Sequence, residues 1–176
     1  KNRKPIHLEI VYKFYLYDEK SGEIEIEQFI GPNKKDSLLQ KLTKLQKQQL
    51  PLIYNKNTEQ LLSKLNLNAI EIEQKVLFKA QLFLPYNCEI PELKQLNSAC
   101  VKGFYIPFND LQILSKYKFY IPSKINWLQE IQTQVNWLTF EAFLPKVTTI
   151  IEQKTSPLCW LKQPNGEVQK FFIVWW

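Results

Sequence analysis

The sequence predicts an α/β (α+β) fold, a mixed central sheet flanked by helices. Three observations carry this. Two runs, HLEIVYKFYL at 7–16 and KVLFKAQLFL at 75–84, mix apolar, β-branched and aromatic residues over strand lengths. Between them, KKDSLLQKLTKLQKQQL at 34–50 places Leu38, Leu42, Leu45 and Gln49 on one helical stripe, with lysines on the other faces. The closing segments CWLK (159–162) and VQKFFIVWW (168–176) flank PNGE, whose Asn-Gly step is a hairpin signal.

Element by element, the first strand covers 6–17, and Asp18 to Gly22 make a polar turn. EIEIEQFI (23–30) alternates so regularly that it predicts a half-exposed strand, ended by Gly31-Pro32-Asn33. The helix that follows carries Asp36 in its first turn, where a carboxylate suits the helix dipole, and Pro51 closes it. A second helix is predicted from Thr58, as N-cap, to Leu65. After the strand at 75–84, which ends at Pro85, VKGFYIPF (101–108) predicts another strand. A short helix follows from Asp110 to Ser115, then a strand at 118–122. Residues 126–154 read as mostly helical, interrupted by Pro145, and FFIVWW reads as core and edge strand. No repeat or low-complexity linker divides the chain, so residues 1–176 are expected to form a single domain.

With 176 residues and 45% apolar content, the chain is long enough to bury a core and too apolar for a disordered segment. No run approaches the roughly 18 apolar residues of a membrane helix. Cys88, Cys100 and Cys159 lack CxxC spacing and read as reduced thiols, which points to the cytoplasm. A chain with one histidine cannot build a His-rich metal site, and four glycines leave no phosphate-binding Gly-rich loop. The net charge of +6 favours a polyanionic partner such as nucleic acid. Arg3 is the only arginine, however, and lysine lacks the fork that reads guanine edges, so groove reading is not the expected mode. The sequence contains no Met. It is therefore expected to start inside a longer polypeptide, in the middle of a hairpin.

The chemistry concentrates on the first strand. Side chains alternate along a strand, so His7, Glu9, Val11 and Lys13 share one face while Leu8, Ile10, Tyr12 and Phe14 share the other. An acid and a base on one sheet face call for a partner, a metal or solvent, because desolvating an ion is costly. A solvated face, with His7 as a hydrogen-bonded structural residue, is the plain alternative to a site.

HLEIVYKFYL followed by GPNKKDSLLQKLTKLQKQQLPL resembles the bacterial family DUF1853. LNSACVKGFYIPF, KFYIPSKINWL, PLCW and FFIVWW extend the resemblance over nearly the whole chain. That family has been grouped with the PD-(D/E)XK nucleases, and the resemblance implies their restriction-endonuclease-like core, here N-terminally incomplete. It implies a metal-dependent nuclease acting on DNA or RNA, with Glu9 as catalytic carboxylate and ligand of Mg²⁺ or Mn²⁺, and Lys13 as the catalytic lysine. His7, Asp36, Lys41 and Gln49 are the further residues expected near substrate. Asp36 could approach Glu9, and related nucleases place Lys or Gln where Lys41 and Gln49 fall. Two departures stand out: Val11 occupies the usual lysine position, and the first acid of the pattern would precede Lys1. A single carboxylate binds Mg²⁺ poorly. These residues alone are therefore expected to be inactive. The alternative is a non-catalytic nucleic-acid-binding or interaction module on the same fold.

Overall fold

The computed structural model describes residues 4–18, 26–89, 93, 95–132 and 134–176. The chain runs through β1 (Ile6–Tyr17), β2 (Phe29–Ile30), α1 (Leu38–Lys44), α2 (Lys56–Lys64) and β3 (Glu73–Pro85). Then come β4 (Val101–Pro107), β5 (Lys118–Tyr120), α3 (Phe140–Glu152), β6 (Leu158–Lys162) and β7 (Val168–Val174). The strands form one mixed sheet in the order β2-β1-β3-β4-β7-β6-β5. The middle strands β1, β3, β4 and β7 are parallel. Antiparallel β2 lies on one side, and β6 and β5 on the other. The α/β class with helices against a mixed sheet is therefore as the sequence predicts.

Parallel strands in the middle of a sheet are covered on both faces, which is why β7 reads as the unbroken run FFIV, buried throughout. It lies between β4 and β6, in the sheet interior and not at an edge. On one face Phe119, Phe140, Phe143, Val147 and Phe171 pack into the largest core. On the other, Leu16, Phe83, Tyr105, Leu158, Phe172 and Val174 pack beneath Trp127.

Several predicted elements shift. Of the second strand, 23–25 lie outside the described residues, and Ile26–Gln28 is a 3-10 turn; only Phe29–Ile30 pair with β1. Asp36 is not in a helix turn. It precedes Ser37, which caps α1 by accepting from the Gln40 amide at 3.2 Å while the Gln40 side chain accepts from Ser37 N–H. Pro51 does not simply end the helix. Lacking an N–H, it cannot complete the α-helical ladder, and the backbone widens into a π turn over Leu45–Gln49, then a 3-10 turn over Leu50–Tyr54. The second helix starts earlier than predicted, because Asn55 and not Thr58 is its N-cap. Of 126–154 only Phe140–Glu152 is α-helical, with Pro145 accommodated inside. Leu138 instead forms a bridge to Phe119, and Trp127 lies against Phe14 and Phe172, so sheet contacts override the helical pattern there.

Candidate site on the first strand

Over the first half of β1 the odd face is the covered one. Val11 and Tyr15 are buried, Tyr15 in one cluster with Leu38 and Leu42 of α1, whereas Leu8 and Ile10 are exposed. Glu9, predicted to face solvent if it had no role, is instead only 20% exposed. Parallel pairing of β1 with β3 sets His7 beside Gln74. The π turn brings Gln49 over the strand, and α1 supplies Lys41.

These groups form one directional chain of hydrogen bonds. Lys41 Nζ donates to Gln49 Oε1 at 2.7 Å, which orients the amide so that its Nε2 donates to Glu9 Oε2 at 3.4 Å. The other carboxylate oxygen, Oε1, lies 3.1 Å from His7 Nε2. Gln74 Nε2 reaches both His7 Nδ1, at 3.1 Å, and the Leu50 carbonyl, at 2.7 Å. A carboxylate only accepts and an amide NH₂ only donates, so the network assigns the proton to His7 Nε2 and the lone pair to Nδ1. Glu9 is thereby held in one orientation by donors on both oxygens, and each oxygen keeps a further lone pair.

Lys13, four residues along the same face, belongs to a different pair. Its Nζ donates to Asp36 Oδ2 at 2.8 Å. At roughly 3.3 Å per residue its Cα lies about 13 Å from that of Glu9. Asp36 thus meets Lys13, with no bond to Glu9 among the described residues. The four-residue offset leaves the acid and the lysine in adjacent clusters and not in one. Of the six residues expected at the site, His7, Glu9, Lys41 and Gln49 share a network, and Lys13 with Asp36 flanks it. Gln74 was missed; its place opposite His7 depends on strand pairing, which a single sequence does not display.

A family model for DUF1853, a domain of unknown function, matches residues 1–174. The chain belongs to DUF1853. No curated protein and no solved structure shows significant similarity to it.

For a divalent cation, this DUF1853 site supplies too few ligands. Among the described residues no three His, Cys, Asp or Glu side chains gather as a metal site. His7 spends both ring nitrogens on Glu9 and Gln74, so Glu9 is the one carboxylate available in the network. This donor set does not fit a tightly held Mg²⁺, which needs an oxygen shell completed by a further carboxylate or by substrate. No helix among the described residues is long and apolar enough to cross a membrane.

Next to the Lys13–Asp36 pair, Tyr15 is fully buried and its hydroxyl has no hydrogen-bond partner among the described residues. Burial, and secondarily the negative charge of Asp36, raises its pKa. An unfolded tyrosine ionises near pH 10, as a free side chain does. Tyr15 therefore contributes its full stability below about pH 10. Above that pH the contribution falls, because the unfolded chain loses the proton first. Denaturant titrations across this range are expected to show a steeper alkaline loss in the wild type than in Tyr15→Phe; parallel curves would refute the assignment.

Proposed function

We propose that this chain carries the Glu9 half of a metal-dependent nuclease site of the PD-(D/E)XK type, acting on DNA or RNA in the cytoplasm of a bacterium. The observation behind this reading is the Glu9 carboxylate, held by His7 and by Gln49, whose amide Lys41 orients. A fixed carboxylate suits a phosphodiester approaching with a divalent ion. When bound, Mg²⁺ or Mn²⁺ would supply charge stabilisation at the phosphate and an acidified water. The residues' own part is narrower. Glu9 offers one oxygen ligand, His7 and Gln49 keep it oriented, and Lys41 holds Gln49 while adding positive charge. A second carboxylate beside Glu9 is required, and the described residues do not provide it.

The test uses the protein with Mg²⁺ or Mn²⁺ on labelled single- and double-stranded DNA and RNA. Glu9→Gln keeps the shape and loses the charge. It is expected to lower cleavage by at least about 100-fold, the upper range for disturbing groups around a metal. Cleavage that survives Glu9→Gln undiminished would refute the reading.

A second reading is a nucleic-acid-binding module without catalysis. The Lys13–Asp36 pair favours it, because that contact holds the lysine away from Glu9. Its signature is binding that weakens as salt rises, with no cleavage of any substrate.

A further inference from the structure

A cleft of about 390 Å³ opens beside the Lys13–Asp36 pair, between β1 and the segment that follows β5. Lys13, Phe14, Asn33, Asp36, Lys124 and Trp127 are among the residues that line it. Its cations, Lys13 and Lys124, outnumber its one carboxylate, Asp36. Lys124 is exposed and makes no ion pair among the described residues. Trp127 is half-buried: Phe14 and Phe172 hold its ring edge-to-face at centroid distances of 5.8 and 5.5 Å, yet the ring still borders the cleft. Asn33 turns its carbonyl to the Ser156 amide at 2.8 Å, which leaves its NH₂ as a donor. The cleft shares Lys13 and Asp36 with the candidate site and so continues it along the strand.

We propose that this cleft is a subsite for one nucleotide of a single-stranded nucleic acid, an inference that rests on the nucleic-acid reading above. The base lies against Trp127 and the adjoining phosphate against Lys124 and Lys13. Single strands are the class indicated. A base inside a duplex has no free face to offer an aromatic side chain such as Trp127. Trp127 supplies sequence-tolerant stacking and the lysines supply point charges. A chain with one arginine reads phosphates by such charges and not base edges by bidentate forks.

The test is an anisotropy titration of the full-length protein with labelled oligo-dT and with a duplex of equal length. Wild type, Trp127→Leu, Lys124→Gln and Glu9→Gln are compared. The single strand is expected to bind more tightly than the duplex. Trp127→Leu should weaken single-strand binding by about 5- to 150-fold, the range for loss of one stacked base. Lys124→Gln should lower the slope of log K against log salt by about 0.7, one phosphate contact on a single strand. Because Lys124 is exposed, that variant remains informative even if Trp127→Leu disturbs packing. Wild-type affinity and salt slope in both variants would overturn the subsite, as would equal binding of duplex or no binding at all. Glu9→Gln separates the two proposals. Binding that depends on Trp127 and Lys124, with cleavage absent in the wild type, supports the subsite while the nuclease reading falls. Cleavage that depends on Glu9, with binding indifferent to Trp127 and Lys124, does the reverse.

Discussion

Phe143→Ala is expected to destabilise the fold by about 3–5 kcal/mol, the range for truncating a large buried aromatic. Phe143 is fully buried on α3, and its ring stacks on Phe119 with centroids 4.2 Å apart and planes 11° from parallel. Phe119 belongs to β5, a three-residue strand that holds its place through β6 and a single bridge to Leu138. Removing the ring leaves a cavity that the regular backbone of α3 and β6 has little freedom to fill. It also deprives β5 of its main cover. Against a typical domain stability of about 5–15 kcal/mol, this is a large share. Denaturant unfolding of both proteins measures it, and a loss below about 1 kcal/mol would show that the helix can settle onto the sheet without that ring.

Gly103→Ala is expected to cost about 3 kcal/mol or more, at or above the upper end for overpacking a core, because the obstacle is backbone. Gly103 lies in β4 beside Lys170 of β7, and a Cβ there would run into the Lys170 carbonyl oxygen, with the Phe83 ring also in close contact. A side chain could rotate away; a strand carbonyl in the middle of a sheet cannot. The same place carries the irregularity where β3 and β4 change register, between Leu82 and Phe83. Glycine therefore permits the close approach of β4 and β7 that completes the sheet. The expected result is a lower unfolding midpoint, or loss of soluble folded protein. Wild-type stability would mean that the strands separate there at little cost.

Much of the fold is legible because it depends on local pattern. The long apolar runs at 6–17 and 75–84 form strands, and the PNGE turn joins β6 to β7 in an antiparallel pair with Gly166 at positive φ. The same holds for the candidate site in part. Alternation along β1 places His7, Glu9 and Lys13 on one face. Where the reading failed, long-range contacts outweighed local preference. Leu128, Ile131, Val135 and Leu138 have helical spacing, yet Leu138 gains more by bridging to Phe119 on the sheet.

What the sequence by itself determined is which side chains share a strand face and where a proline interrupts a helix. These follow from fixed backbone periods and from the chemistry of single residues such as Pro51. Only the tertiary structure decided that the charged face of β1 is the covered one, and that Glu9 answers to Gln49, His7 and, through His7, Gln74. It also decided that Lys13 answers to Asp36 instead. The physical reason is that a carboxylate's partners are chosen within about 3 Å in space. That distance is set here by a strand pairing between residues 7 and 74 and by a π turn forty residues from Glu9. No periodicity along the chain encodes either of them.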